Sequence, residues 1–120
     1  MGDFKDLIIY KKAYKLAMDI YEVSKTFPGD EKFSLTSQIR RSSRSVCSNF
    51  AEAYRRRKYR PHFLLKLTDC ETENTETEVW LDFAKDCNFL DPETYKSFFN
   101  RNAEVRKLIF HMIHNPEKYL

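Results

Sequence analysis

Cationic side chains crowd the stretch RRSSRSVCSNFAEAYRRRKYR at residues 40–60, although the formal net charge of the chain is only +3. A guanidinium group suits phosphate because it combines a permanent positive charge with a planar fork of N–H donors. Such a cluster offers contact with the backbone of RNA or DNA. The candidate nucleic-acid-binding residues are Arg40, Arg41, Arg44, Arg55, Arg56, Arg57, Lys58 and Arg60.

Two other residue types could do chemistry. His111 and His114 are spaced i, i+3, but no third ligand at a recognised spacing accompanies them, so we predict no metal site. Cys47, Cys70 and Cys87 form neither an even set nor a C-x-x-C pair, which favours reduced thiols over a disulfide framework. We expect Cys70 in the core and Cys47 at a helix–helix contact.

Catalytic machinery is not indicated. The only glycines are Gly2 and Gly29, which excludes a glycine-rich phosphate loop. The many carboxylates resemble a salt-bridge face more than a catalytic pair. We therefore predict a protein that is not an enzyme and that has no cofactor.

The composition indicates one globular domain over residues 1–120. Hydrophobic residues make up 42% and charged residues 32% of the chain, and Gly and Pro are too few for many short strands. No apolar run is long enough to span a membrane, and the first residues, MGDFKDLIIY, contain no uninterrupted apolar segment of a signal peptide. We expect a cytoplasmic protein.

Apolar residues three and four positions apart, separated by helix-breaking residues, predict four helices. Pro28 and Gly29 end the first, Ser34 is a candidate N-cap of the second, and Asp91 followed by Pro92 begins the fourth. Short connections make consecutive helices antiparallel, so the prediction is an all-α, up-down-up-down four-helix bundle. Its helices span about 6–27, 34–57, 61–89 and 92–114.

On a helical wheel, the second helix separates its charges from its apolar residues. The stripe of Leu35, Ile39, Val46, Phe50 and Ala53 occupies an arc of roughly 60°. The basic ridge, formed by Arg40, Arg44, Arg55 and Lys58 with Arg41 at its edge, lies almost opposite. Three interpretations stay open for this ridge: a solvated face, a contact between subunits and a nucleic-acid surface.

The third helix supplies acids that compete for these cations. Glu71, Glu78 and Asp82 flank its inner stripe, at positions where adjacent helices form ion pairs. The full acidic set is Asp69, Glu71, Glu73, Glu76, Glu78 and Asp82. Acids of this chain or of a neighbouring copy can thus pair with some arginines. Trp80 lies outside the main stripe, which suggests burial against another subunit.

The predicted inner faces are polar halfway along. Polar residues stand where leucine is usual, and buried amides are costly unless paired. They either satisfy each other, which we favour, or line a polar cavity. These residues are Ser42, Asn49, Asn74, Thr77 and Asn102.

The segment QIRRSSRSVCSNFAEA resembles the bacterial four-helix-bundle family named for intervening sequences in 23S rRNA genes. The segments IYEVSKTFP and ETEVWLDFAKDCNFLDPETY extend the resemblance over most of the chain. Cys47 replaces a common proline and Ala53 a common glycine, and both changes favour a straighter second helix. The matching motif residues are Gln38, Arg40, Arg41, Ser45, Asn49, Ala51 and Glu52.

The resemblance implies a four-helix bundle that assembles into a ring-like homopentamer. The family's gene context suggests a link to RNA. Similar bundles are accessory variability proteins of diversity-generating retroelements, which bind a reverse transcriptase and nucleic acid. The basic ridge and the family resemblance together predict a non-enzymatic homo-oligomer. We expect it to bind RNA or DNA through the basic ridge, as an accessory to an enzyme such as a reverse transcriptase. The alternative is a protein–protein scaffold whose arginines form salt bridges with subunits or partners.

Overall fold

The computed structural model describes residues 3–119, and its regular elements are all helical. The four long helices are α1 (Ile8–Ser24), α2 (Leu35–Arg55), α3 (Arg60–Asp86) and α4 (Pro92–His114). Short 3₁₀ turns lie at Phe4–Asp6, Gly29–Glu31 and Pro116–Lys118. None of the helices in the described part of the chain is long and apolar enough to cross a membrane.

The helices form the predicted antiparallel bundle. Each packs against its neighbours in the chain, and α1 also packs against α4, which closes the bundle. The particle measures 44 × 25 × 21 Å. The α2–α3 turn therefore lies at one end of the long axis, together with the beginning of α1 and the end of α4.

The inner stripes are buried as their spacing predicts. Towards the α2–α3 turn, Phe50 and Phe63 centre one apolar cluster, and Ile20, Ile39 and Leu81 centre a second at the opposite end. Burying side chains of this size stabilises the fold by roughly 1.5–3 kcal/mol each. The stripe of α2 is buried throughout, and so is that of α3, which comprises Phe63, Leu67, Cys70, Asn74, Thr77, Leu81 and Ala84.

Between the two apolar clusters lies a polar layer, formed by Ser42, Thr77, Asn74 and Asn102. Thr77 Oγ1 donates to Ser42 Oγ at 2.9 Å. Asn74 Nδ2 donates to the carbonyl and side-chain oxygens of Asn102, and Asn102 Nδ2 donates to the Asn74 carbonyl at 3.0 Å. The predicted mutual pairing is confirmed for these residues, although the side-chain oxygen of Asn74 has no hydrogen-bond partner among residues 3–119.

Asn49 was wrongly grouped with that layer. Its half-buried side chain donates to the Ser45 carbonyl at 2.9 Å and accepts from Lys66 at 3.4 Å. It lies at the edge of the α2–α3 contact because its wheel position is displaced from the inner stripe.

Three helices end earlier than predicted. Helix α1 stops at Ser24 instead of residue 27 because Pro28 disfavours helical backbone at Phe27, although Phe27 remains buried. Helix α3 stops at Asp86 instead of residue 89 because Asn88 adopts a left-handed φ of 63°. Phe89 N–H then bonds to the Ala84 carbonyl at 2.8 Å, which is the Schellman closure.

Helix α2 stops at Arg55 instead of residue 57. Arg56 leaves helical geometry, and residues 56–59 form a tight turn into α3, whose first turn contains Pro61 as expected.

At the start of α2, Ser34 is the N-cap residue but makes no capping bond; Glu31 Oε1 instead accepts from Leu35 N–H at 3.3 Å. Asp91 caps α4 as predicted and accepts from Thr94 N–H at 2.8 Å.

Candidate nucleic-acid interface

The predicted basic ridge is divided among different neighbours in the structure. Arg41 faces α3, where its Nη2 lies 2.6 Å from Glu76 Oε1 and 3.3 Å from Glu73 Oε1. The hydrogen bond with Glu76 raises the pKa of Arg41, and the same bond lowers the pKa of Glu76. Arg41 is therefore neutralised within the chain and offers little to an external phosphate.

The acids that pair with Arg41 belong to the predicted acidic set of the third helix, but they are not the three that flank its inner stripe. Glu78 and Asp82 face α4: Arg106 Nη1 lies 2.6 Å from Glu78 Oε1, and Tyr95 donates to Asp82 at 2.6 Å. The hydrogen bond to Asp82 raises the pKa of Tyr95 to about 12. These two acids therefore join α3 to α4.

Arg40 and Arg44 lie on the α1 side of α2. Their guanidinium carbons lie 4.7 and 5.3 Å from the centre of the Tyr21 ring. Arg40 Nε also donates to Ser24 Oγ at 2.7 Å. Neither arginine forms a salt bridge with any residue between 3 and 119. Arg44 is exposed, so it keeps a charge that an external anion can reach.

The densest positive charge lies at the α2–α3 turn. The basic end, as we name it, comprises Arg55, Arg56, Arg57, Lys58 and Arg60. The sequence predicted Lys58 on the helical ridge, but the break after Arg55 places Lys58 in the turn. The cations therefore cluster across one end of the bundle and do not continue along a helix face.

Packing holds most of this cluster without neutralising it. Arg57 Nη1 donates to the Tyr54 carbonyl at 2.8 Å, and its guanidinium carbon lies 4.0 Å from the Tyr54 ring centre. Arg56 Nη1 lies 3.4 Å from His62 Nδ1. Arg60 pairs with Glu117 at 3.1 Å, the only salt bridge of the basic end to residues 3–119.

Aromatic rings accompany these cations. Tyr59 has 57% of its surface exposed and meets His62 edge-on at 4.5 Å between ring centres. Phe4, from the first 3₁₀ turn, lies under Arg55 at 5.6 Å. Phe4 is half-buried, so Tyr59 is the ring that can stack on a base. An exposed ring beside cations is a combination that binds unpaired nucleotides, because the ring stacks on a base while the cations contact phosphates.

The family-motif positions serve mainly to join α2 to its neighbours. Glu52 pairs with Lys66 of α3 at 3.0 Å, and Lys66 also reaches Asn49. Gln38 lines an apolar groove with Trp80. Lys66 was not identified from the sequence, because a lysine between apolar positions gives no signal of a central contact. Ser45 contributes its backbone carbonyl, and Ala51 is half-buried.

The histidines of α4 have local partners. His111 Nδ1 lies 3.0 Å from the Tyr119 hydroxyl, and His114 Nδ1 lies 2.9 Å from the Phe110 carbonyl. Among residues 3–119 no group of three or more His, Cys, Asp or Glu side chains has the geometry to hold a metal ion.

Taken together, these features define an all-α four-helix bundle with clustered cations and the exposed Tyr59 ring at one end. The chain belongs to the 23S rRNA-intervening sequence protein family, whose model matches residues 5–111. It is similar to a crystal structure of a protein of unknown function from the S23 ribosomal protein family of Bacteroides thetaiotaomicron VPI-5482. The two chains are 30% identical in sequence, and their structures superpose with a TM-score of 0.83. The aligned region covers 92% of this chain and 99% of the other. No curated protein matches.

Proposed function

We propose that this chain is a non-enzymatic, homo-oligomeric protein that binds RNA or DNA through its basic end, as an accessory to a nucleic-acid enzyme. The observation that supports binding is the charge state of that end: residues 55–58 are all basic, and none forms a salt bridge with residues 3–119. Unpaired cations are available to displace the counterions of a phosphate chain. Arg44 extends the surface along α2, while Arg41 does not belong to it.

A salt titration of binding tests this proposal. Arg55→Ala, Arg56→Ala and Lys58→Ala are combined, and binding to a single-stranded oligonucleotide is measured by fluorescence anisotropy at several salt concentrations. The slope of log K against log salt should fall by about one for each phosphate that the variant no longer neutralises.

The matched control combines Lys32→Ala, Lys85→Ala and Lys96→Ala, which removes as much charge from exposed positions at the opposite end. It should leave the slope unchanged. An equal reduction in both triple variants would mean that net charge alone drives binding, and the basic end would then have no special role.

Two apolar surfaces support association between copies. The first, groove A, is lined by Phe33, Trp80 and Phe83 on the α3 side of α2 and has a volume of about 600 Å³. The second, groove B, is lined by Tyr10, Tyr14 and Met18 on the α1 side and has a volume of about 370 Å³. Phe33 is 87% exposed in the single chain. Two different apolar surfaces fit head-to-tail contacts, which form a ring when the rotation between copies closes; the pentamer implied by the resemblance is such a ring.

Light scattering of mixed variants tests this assembly. Phe33→Ser with Phe83→Ser should disable groove A, and Tyr14→Ser with Met18→Ser should disable groove B, so each variant alone is monomeric. Mixing the two variants allows the intact groove A of one to contact the intact groove B of the other, which should give a dimer. Monomers in the mixture would contradict head-to-tail assembly.

The second candidate function is a protein–protein scaffold without nucleic-acid binding. Groove A supports it, since exposed aromatic residues are common anchors of protein partners. Under this alternative the salt titration gives no binding to nucleic acid, whereas substitutions in groove A still abolish partner or subunit contacts.

A further inference from the structure

A solvent-open cleft lies where the first 3₁₀ turn packs against the end of α2. It has a volume of about 370 Å³ and is lined by Asp3, Phe4, Tyr54, Arg55 and Arg57. Alternation along the chain places Arg55 and Arg57 in the cleft, while Arg56 contacts His62 of α3 instead. The cleft is therefore a distinct part of the basic end, bounded by rings as well as cations.

Arg57 is held in a fixed orientation on the cleft wall. Its Nη1 bond to the Tyr54 carbonyl and the 4.0 Å approach to the Tyr54 ring together restrain the guanidinium plane. Since a guanidinium has donors on several edges, the remaining N–H groups are free for a ligand. Orientation fixed before binding lowers the entropy cost of binding an anion.

Arg55 brings a second guanidinium to the same space, with its carbon 5.6 Å from the Phe4 ring centre. Neither Arg55 nor Arg57 forms a salt bridge with residues 3–119. Two like charges around one cleft repel each other unless an anion lies between them. Asp3 is the only acid in the lining and does not pair with either arginine, so the cleft keeps an excess of positive charge.

Among the anions of a nucleic acid, a terminal phosphate fits this arrangement best. A phosphate monoester carries nearly two negative charges and three acceptor oxygens, enough to meet two guanidinium groups. An internal phosphodiester carries a single charge. Building on the proposed function, we propose that this cleft binds the terminal phosphate of a single-stranded nucleic acid, with the rest of the strand lying on the basic end.

Oligonucleotides that differ only in a terminal phosphate test the inference. Anisotropy titrations compare one sequence with a 5′-phosphate, a 3′-phosphate and two hydroxyl ends. We expect one phosphorylated form to bind about tenfold tighter than the hydroxyl form. The reason is that the terminal phosphate adds charge-assisted hydrogen bonds to the arginines, and one such bond increases an affinity by about that factor. Arg57→Lys keeps the charge but removes the fork of the guanidinium, and should abolish the preference for the phosphorylated form.

Matched variants separate the cleft from the surface around it. Arg56 lies outside the cleft, so Arg56→Lys should keep the tenfold preference for the phosphorylated form. Asp3→Asn should increase that preference, because it removes the repulsion between the Asp3 carboxylate and the phosphate. Thermal melting of Arg57→Lys by circular dichroism confirms that the variant is folded. Equal binding of all three oligonucleotides by the unaltered protein would overturn the inference but leave the proposed function intact. Absence of any binding would overturn both.

Competition identifies the source of the phosphate. Inorganic phosphate and a nucleoside monophosphate are added to the complex with the phosphorylated oligonucleotide. The inference requires that both compete only at concentrations far above that of the oligonucleotide, because they lack the contacts along the basic end. Equal competition by the nucleoside monophosphate would assign the cleft to free nucleotides and overturn it.

Discussion

The guanidinium of Arg41 lies 2.6 Å from the carboxylate of Glu76, and Trp80 donates to the same oxygen at 3.2 Å. One carboxylate oxygen therefore joins a basic residue of α2 to the ring that lines groove A. The contact explains why Arg41 differs from the other arginines of its helix. Because the carboxylate of Glu76 can be protonated, the contact also makes the stability of the α2–α3 packing depend on pH.

Glu76→Gln should remove most of that pH dependence. The folded-state pKa of Glu76 is lowered by the Arg41 hydrogen bond, so its contribution to stability is complete above the ordinary glutamate pKa of about 4.3 and is lost as pH falls through the lowered value. Thermal melting at pH 7 and pH 3 should show a smaller difference in the variant than in the unaltered protein. Because Arg41 is half exposed, the effect at pH 7 should stay within about 1 kcal/mol. An unchanged pH difference would show that the pair is without effect on stability.

Asn74→Leu should be strongly destabilising, because it removes the Nδ2 donor and leaves the side-chain oxygen of Asn102 buried without its partner. We expect a loss of about 2–3 kcal/mol in urea denaturation. Asn74→Leu combined with Asn102→Leu should cost less than the sum of the single changes, since no orphaned amide remains. Additive losses would contradict the coupling of the two side chains.

Asn88→Ala should destabilise the end of α3 by about 1 kcal/mol, because alanine tolerates the φ of 63° poorly. Asn88→Gly is the matched control and should be neutral or slightly stabilising, since glycine adopts this backbone without strain. Denaturation midpoints of the two variants measure the difference directly. Equal stability would imply that the left-handed turn is not formed.

The thiols should react at very different rates. Burial raises the pKa of Cys47 to about 11 and raises that of the fully buried Cys70 further, whereas Cys87 is exposed beside Trp80 in groove A. A colorimetric thiol reagent should label Cys87 rapidly and the other two only after denaturation. If copies associate through groove A, that labelling should slow as protein concentration rises. Fast labelling of Cys47 would contradict its placement at the α1–α2 contact.

Periodicity predicted the helices and their buried faces well, because the direction of each Cβ follows from position along a helix. The inner stripes of α2 and α3, which are buried throughout, are the clearest instances. The end of α3 was missed because a single backbone angle at Asn88 decides it, and asparagine adopts both right-handed and left-handed helical backbone.

The basic ridge was only half predicted, for a related reason. A wheel gives the starting direction of an arginine, but its long side chain can bend towards either neighbouring helix. Arg41 reaches Glu76 and Arg40 reaches Ser24, so the two diverge from adjacent positions. The cleft depends on Phe4, whose packing against Arg55 joins distant parts of the chain and leaves no local pattern.

The paired hydroxyls of Ser42 and Thr77 and the paired amides of Asn74 and Asn102 also determine the alignment of the helices. Sliding one helix by a single turn, about 5.4 Å, would place these groups opposite hydrocarbon. Leucine alone would tolerate such slippage far better. Helices α2, α3 and α4 are therefore held in one register, which fixes the position of the arginine-rich turn between α2 and α3 relative to α4.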